Sequence, residues 1–192
     1  MMEQKKQLSD MTLGELWQLF PIQLTAHNEI WSLYYEEMKE RIEQVLADCS
    51  IVRISHIGST AIKGIWAKPI VDILVEIDEN EDIQKVAALM RSIGFIQMST
   101  EVNRISLNYG YTEKGFAEKV YHLHICCKGD NDELYFRDYL NEFPETAKLY
   151  EQLKLSLWKE YEHNRDGYTN AKTKFVNKYT EQAKAKYSNR YN

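Results

Sequence analysis

Two apolar, β-branched runs joined by a short polar turn constrain the fold of this chain more than any other feature. The runs cover residues 51–57 and 70–77. The segment between them contains Gly58, Ser59, Gly64, Lys68 and Pro69. Glycine and proline mark the points where a chain leaves one strand and enters another. Residues 51–77 therefore predict a strand, a turn and a second strand of one sheet.

The second apolar run contains a carboxylate. Because alternate side chains of a strand share a face, Asp72 points the same way as Leu74 and Glu76. Burying an unpaired charge is strongly unfavourable, so Asp72 requires a partner. A metal ion, a basic side chain and backbone N–H groups all meet that requirement, and these residues alone do not choose among them.

The composition is that of one globular domain, expected over residues 1–192. The 192 residues are 44% hydrophobic and 28% charged, and the formal net charge of -5 argues against nucleic acid as a partner while leaving small phosphorylated ligands open. Three cysteines, two of them adjacent, suit neither a disulfide framework nor a zinc site. Because no signal-peptide core and no membrane-length apolar run is visible, we expect a cytoplasmic protein without a membrane partner.

Apolar periodicity along the chain predicts an α+β fold. Thr12 and Glu15 have capping-box spacing at the start of an accessory helix. The region from about 131 to 187 is expected to be helical throughout, with Pro144 and Gly167 dividing its helices. The other expected elements are helices at about 12–20, 28–47 and 81–92 and strands at about 95–99, 104–111 and 119–127.

The Gly58-Ser59 pair has two interpretations. Glycine lets backbone N–H groups approach an anion, and a helix beginning here would add its positive end, which indicates a phosphate site. An ordinary turn explains the same two residues. A P-loop is excluded, because Ile65 stands where its lysine would be.

Several separated motifs resemble the GrpB family of the nucleotidyltransferase superfamily. The Gly-Ser pair, twelve further residues and then Asp72 resemble the opening signature of that superfamily. The resemblance covers about residues 21–179. The matching residues are His56-Ile57-Gly58-Ser59-Thr60-Ala61, Gly64, Ala67-Lys68-Pro69-Ile70-Val71-Asp72-Ile73, His122-Leu123-His124, Phe136-Arg137-Asp138-Tyr139-Leu140, Leu153-Lys154, Tyr168-Thr169, Lys172 and Phe175.

The resemblance implies a nucleotidyltransferase-like mixed β-sheet with packed helices and a C-terminal helical subregion. It implies a nucleotide or another phosphorylated small molecule as ligand and Mg2+ or Mn2+, held by Asp72, as cofactor. Asp72, Ser59 and His124 are the catalytic residues that it implies. The implied phosphate-binding residues are Gly58, Ser59, Thr60, Lys68, Arg137 and Lys172.

One position departs from the superfamily pattern. Active nucleotidyltransferases carry two carboxylates two residues apart on this strand, and here Leu74 occupies the second position. Asp72 alone supplies too few oxygen ligands for a two-metal site. Glu76 faces the same way, two residues beyond Leu74 and so about 7 Å farther along the strand. It is interpreted either as a distal metal ligand or as a solvated residue at the strand end.

Two histidines share one face of a later predicted strand. His122 and His124 have the spacing that lets two imidazoles converge on a metal or a phosphate. They are candidate metal ligands beside Asp72, and either one is a candidate proton shuttle. The competing interpretation is a pair of structural histidines. A histidine-triad hydrolase is disfavoured, because Cys126 stands in place of the third histidine.

Basic side chains supply further candidate phosphate ligands, because arginine offers a planar fork and lysine a point charge. Lys68, Arg137 and Lys172 are supported by the family resemblance, whereas Arg104 rests on its position at a strand start. Solvated basic residues are the alternative. For Arg137 an ion pair with Asp138 on the helices is a further one.

These observations support three hypotheses of function. The leading one is a metal-dependent, nucleotidyltransferase-like protein that binds a nucleotide or a phosphorylated small molecule. A noncatalytic nucleotide- or phosphometabolite-binding module is the alternative favoured by Leu74, and a helical interaction protein is the third. The first two predict that Ser59, Asp72, His122 and His124 lie around one cleft, with Lys68 or Arg137 at its rim and the C-terminal helices as its second wall.

Overall fold

A computed structural model describes residues 6–191 as a five-stranded sheet with six α-helices. One-turn 3-10 helices occur at Leu8–Asp10 and Ser59–Ala61. In chain order the elements are α1 (Leu13–Leu19), α2 (Ile30–Val45), β1 (Ile51–Ile57), β2 (Val71–Ile77), α3 (Ile83–Ser92), β3 (Ile96–Thr100), β4 (Arg104–Thr112), β5 (Gly115–Cys127), α4 (Asp132–Glu142), α5 (Pro144–Trp158) and α6 (Arg165–Tyr187).

The sheet is mixed, with the strand order β1-β2-β5-β4-β3. Strands β2 and β5 are parallel, and the other neighbouring pairs are antiparallel. In the parallel register Asp72 lies beside His122, and Leu74 lies beside His124. The predicted α+β class, with a mixed sheet and a C-terminal helical subregion, is confirmed.

The alternation predicted for β2 separates its side chains onto two faces. One face carries Val71, Ile73, Val75 and Ile77, which join the main core together with α2 and α3. Each fully buried aliphatic side chain there contributes roughly 1.5–3 kcal/mol. On the other face Leu74 is fully buried with Cys126 of β5 and Leu134 of α4. The face that carries Asp72 is therefore the one covered by the C-terminal helices.

The accessory helix α1 has the capping box that its sequence predicts. The Thr12 hydroxyl accepts a hydrogen bond from the Glu15 backbone N–H at 3.3 Å, and the Thr12 N–H donates to the Glu15 carboxylate at 2.7 Å. These bonds satisfy two N–H groups that a helix start otherwise leaves unpaired.

One predicted helix boundary is wrong. Pro144 does separate α4 from α5, because it is the first residue of α5. Gly167, however, lies inside the first turn of α6, where its N–H donates to the capping side chain of Asn164 at 2.9 Å. A Cβ atom at position 167 would lie 2.6 Å from the Tyr161 ring, so close packing explains this glycine.

Within residues 6–191, no helix combines the length and the apolar character needed to cross a membrane.

Candidate functional site

The turn after β1 brings its backbone against the carboxylate on β2. Gly58 has a φ of +70°, and a Cβ atom at this position would lie 2.2 Å from Asp72 Oδ2. Glycine is therefore required both by backbone conformation and by space. The chain then makes a single 3-10 turn at Ser59–Ala61 in place of the helix that the phosphate interpretation invoked.

Asp72 has a basic partner, one of the three kinds that the sequence left open. Its Oδ1 accepts a hydrogen bond from His122 Nδ1 at 3.0 Å and lies 3.9 Å from His124 Nε2. Burial alone would raise the pKa of Asp72, but the hydrogen bond from His122 and the nearby His124 outweigh it and leave the pKa below its usual value. Asp72 is therefore ionised at neutral pH.

A chain of hydrogen bonds fixes the protonation of His122. Arg165 Nη1 donates to the Tyr111 hydroxyl at 2.8 Å, and that hydroxyl donates to His122 Nε2 at 2.8 Å. Burial lowers the pKa of His122. The pattern assigns a neutral imidazole with its proton on Nδ1, facing Asp72, so both ring nitrogens of His122 are already engaged.

His124 lies beside the site. Its Nδ1 is 3.3 Å from the Ser106 hydroxyl on β4, and its Nε2 faces Asp72 at the longer distance given above. The predicted convergence of two histidines on Asp72 is therefore present, but only His122 also lines the pocket described next.

Residues predicted separately for the site meet around one pocket of about 180 Å³, here called the anion pocket. The sheet and the turn after β1 form one wall, and helices α5 and α6 form the other, as predicted for the C-terminal helices. The lining residues are Gly58, Ser59, Lys68, Ile70, Asp72, His122, Tyr150, Lys154, Tyr168 and Lys172.

Three lysines converge in the anion pocket, and we call Lys68, Lys154 and Lys172 the lysine cluster. The Nζ atoms of Lys68 and Lys172 lie 5.7 Å and 4.3 Å from the centre of the same ring, that of Tyr168. Lys154 is 2% exposed and donates to the Trp66 carbonyl oxygen. Within the described residues, Asp72 is the one acidic side chain lining this pocket.

The electrostatics of the lysine cluster are unfavourable without an added anion. Burial, together with the nearby charges of Lys172 and Arg165, lowers the pKa of Lys68 to about 7. Burial and Lys172 likewise lower the pKa of Lys154 to about 7. An anion in the pocket would offset both the lost hydration and the mutual repulsion of these ammonium groups.

Four residues of this region were not among the predicted site residues: Tyr111, Lys154, Arg165 and Tyr168. For Lys154 the sequence held a signal, because it follows Tyr150 by four residues and Ala147 by seven and so lies on the buried face of α5. A lysine on an apolar helix face requires a partner. Tyr111 and Arg165 carry no comparable local signal, because tertiary packing brings them together.

Arg137 and Thr60 make contacts away from the lining of the anion pocket. Arg137 donates to the His56 carbonyl oxygen at 2.8 Å, to Asp138 at 2.9 Å and to the Tyr191 hydroxyl at 3.1 Å. Thr60 is buried, with its hydroxyl 2.9 Å from His56 Nε2. These partners favour structural roles for both, in contrast to the predicted binding of phosphate.

Two further candidates are also occupied by protein partners. Glu76 is fully buried and forms an ion pair with Arg53 at 2.7 Å, so the predicted solvated strand end is wrong. It also accepts hydrogen bonds from the Gly129 N–H at 2.7 Å and from Asn131 at 3.0 Å. Arg104 pairs with Asp130 at 3.1 Å and with Glu133.

The donor set does not fit a two-metal centre. Asp72 is a single carboxylate, and one of its oxygens already accepts from His122. Leu74, at the second acidic position of the superfamily, lies in an apolar cluster. Among residues 6–191, no group of three or more His, Cys, Asp or Glu side chains is arranged to hold a metal ion.

The sequence model described as GrpB protein matches residues 21–182. The chain belongs to the GrpB family. Among relatives of this GrpB-family protein, the glutamate-rich protein GrpB of Alkalihalophilus pseudofirmus is 34% identical over 158 residues, which cover 80% of this chain and 90% of the relative. The protein YqkA of Bacillus subtilis is 31% identical over 178 residues, which cover 90% of this chain but 51% of that longer protein.

A solved structure of a GrpB protein supports the same assignment. The crystal structure of the conserved protein GrpB from Enterococcus faecalis matches with a TM-score of 0.72 at 30% identity, over 86% of this chain and 99% of that one. The Cid1 poly(U) polymerase bound to MgATP matches with a TM-score of 0.48 at 9% identity, over 74% of this chain and 47% of that one. The predicted GrpB-family resemblance is confirmed.

Proposed function

We propose that this GrpB-family protein binds a nucleotide or another phosphorylated small molecule, with a phosphate group held in the anion pocket. The observation that carries the proposal is the convergence of the lysine cluster around about 180 Å³. Three ammonium groups in a chain of net charge -5 indicate a local site for an anion. Charge-assisted hydrogen bonds to phosphate oxygens are the strong kind.

The remaining lining residues complete a phosphate site. Ser59 supplies a hydroxyl donor, and Gly58 lets the backbone of the turn come close. The negative charge of Asp72 would repel a phosphate, but one of its oxygens is already paired with His122 Nδ1. The lining therefore has a surplus of donors over acceptors, as phosphate recognition requires.

Thermal shift measurements test this proposal. We expect methyl phosphate, pyrophosphate and nucleoside triphosphates to raise the Tm, whereas chloride at the same ionic strength does not. Lys172→Ala is expected to weaken binding about tenfold or more, since one charged hydrogen bond is worth roughly 1.5–3 kcal/mol.

Lys178→Ala is the matched control for that variant. Lys178 lies on the same helix, and its Nζ is 4.9 Å from the Tyr179 ring, but it is exposed and does not line the anion pocket. Equal losses of affinity in the two variants would mean that the overall charge of the protein, and not a contact in the anion pocket, causes the effect. A Tm that no phosphate compound raises would refute the proposal.

Metal-dependent nucleotidyl transfer is the second candidate, favoured by the contact between the Gly58 turn and Asp72. Mg2+ or Mn2+ would neutralise phosphate charge, and Asp72 is the carboxylate available to hold it. The cofactor stays a prediction. Mn2+ binding measured by electron paramagnetic resonance, with and without a nucleoside triphosphate and in Asp72→Asn, separates this candidate from a metal-free binding module.

A further inference from the structure

A second and larger cavity adjoins the anion pocket. It has a volume of about 650 Å³ and shares Lys68 and His122 with the anion pocket, so the two spaces meet at these side chains. We call it the α1 cavity, because Leu13, Leu16 and Trp17 of the accessory helix form one wall. Its volume lies in the range of small-molecule sites.

The walls of the α1 cavity are mostly apolar and are open to solvent. Opposite α1 lie Ile96 and Met98 of the edge strand β3. Leu13, Ile96 and Met98 are 55%, 46% and 57% exposed, which is unusual for large apolar residues that face one another across a concave surface. Burial of these side chains would be favourable, and a bound apolar group would provide it.

Among the polar residues that line the α1 cavity, Lys68, Tyr111, His122 and Arg165 lie at the end that meets the anion pocket. The other polar lining residues are Ser9, Gln97, Asn108, Asp166 and Thr169. Arg165 Nη1 is bonded to Tyr111, whereas its Nη2 is buried with no hydrogen-bond partner among the described residues. A continuous site with a cationic end and an apolar body therefore extends from the lysine cluster to the edge of the sheet.

We propose that the ligand is an amphipathic phosphate: a phosphorylated molecule whose apolar body, aromatic or aliphatic, occupies the α1 cavity. Its phosphate lies in the anion pocket, so this inference rests on the proposed function. One of the two apolar walls comes from α1, which precedes residues 21–182 that match the family. The accessory helix thus determines which phosphorylated molecules fit, through the apolar body that the cavity accepts.

Calorimetric titration of the full chain with inorganic phosphate and with 1-naphthyl phosphate tests this inference. We expect 1-naphthyl phosphate to bind about tenfold more tightly or better, because its ring is removed from water in the α1 cavity. Lys172→Ala should weaken both ligands alike. Leu13→Gln and Met98→Gln should reduce the tenfold advantage severalfold and leave the Kd of inorganic phosphate unchanged.

Leu33→Gln serves as the control for these substitutions. Leu33 is 63% exposed on α2 and does not line the α1 cavity, so this variant should keep the full preference for 1-naphthyl phosphate. Because Leu13 and Met98 are more than half exposed, their replacement should leave the fold intact, which the Tm of each variant checks.

The outcomes separate this inference from the proposed function. If both phosphates bind with the same Kd, the α1 cavity does not hold the body of the ligand and only this inference is overturned. If neither binds, the anion pocket fails and the proposed function fails with it. If sedimentation shows a dimer that Met98→Gln abolishes, the apolar walls belong to an interface with a second copy, and the inference is likewise overturned.

Discussion

The backbone of Gly58 packs so closely against the carboxylate of Asp72 that no side chain fits at position 58. A Cβ atom at position 58 would lie 2.2 Å from Oδ2 of Asp72 and 2.9 Å from its carboxyl carbon. With Oδ1 bonded to His122, the carboxylate is held from two sides. The Gly-Ser turn and the aspartate, fourteen positions apart in sequence, therefore form one rigid unit.

The first prediction concerns this contact. Gly58→Ala should destabilise the protein by about 1–3 kcal/mol, because it combines backbone strain with a steric clash. Urea denaturation measures the loss. In an Asp72→Ala background Gly58→Ala should cost less than it does in the natural sequence, because the atoms that clash are absent.

Gly64→Ala separates strain from clash. Gly64 has a φ of +72°, close to that of Gly58, but a Cβ atom there would meet nothing within 4 Å. Gly64→Ala should therefore reduce the stability of the protein less than Gly58→Ala does. A steric role for Asp72 would be contradicted if Gly58→Ala and Gly64→Ala cost the same, and if Gly58→Ala costs the same with and without Asp72→Ala.

The second prediction concerns the pH dependence that Asp72 confers. Because its pKa is lowered in the folded protein, its contribution to stability is present above the unfolded value of 3.8 and is lost as pH falls further. Asp72→Asn should cost about 1–3 kcal/mol at pH 7 and progressively less below pH 4. Denaturation over this pH range provides the measurement. An equally stable or more stable variant at pH 7 would instead favour a carboxylate that needs a metal.

The third prediction is proton uptake on ligand binding. Lys68 and Lys154 have pKa values of about 7 without ligand, so at pH 8 both are largely neutral. A bound phosphate raises these pKa values, and binding should therefore take up between one and two protons at pH 8 and weaken as pH rises from 7 to 9. Methyl phosphate is a suitable probe, because its second pKa is near 6.

Calorimetry of methyl phosphate binding in buffers of different ionisation enthalpy measures that uptake. The same titration with Lys68→Met should show fewer protons taken up and a weaker affinity. Binding that is independent of both buffer and pH would mean that the lysines are fully charged before the ligand arrives.

The fourth prediction separates Arg137 from the ligand. Its side chain is 21% exposed and its hydrogen bonds go to protein groups, so Arg137→Ala should cost about 2–3 kcal/mol of stability and leave the Kd of phosphate unchanged. Arg190→Ala is the control, because Arg190 pairs with the same Asp138 at 2.9 Å but is 44% exposed. It should cost less than about 1 kcal/mol. Weaker phosphate binding in Arg137→Ala would restore its predicted ligand role.

Local rules explain which elements the sequence could predict. The period-two alternation of β2 identified both the strand and the face of Asp72, and Thr12 with Glu15 identified the start of α1. The boundary near Gly167 was missed because that glycine packs against Tyr161, a contact that no local pattern signals.

Long-range packing explains what the sequence could not predict. The need for a partner at Asp72 followed from its burial, but the identity of the partner depends on the parallel register of β2 with β5. Glu76 faces the predicted way, yet its charge is balanced by Arg53, a residue of the neighbouring strand whose register no spacing rule defines. The α1 cavity is likewise visible only when α1 and β3 are placed in space.

The parallel pairing of β2 with β5 also determines when the site can exist during folding. Asp72 and His122 are 50 positions apart, and α3, β3 and β4 lie between them in the chain, so their contact closes a long loop. The anion pocket also needs α5 and α6 in place. Such nonlocal contacts form late, because closing long loops has a large entropic cost. A ligand of this pocket therefore recognises only the finished fold: it slows unfolding and leaves the rate of folding unchanged.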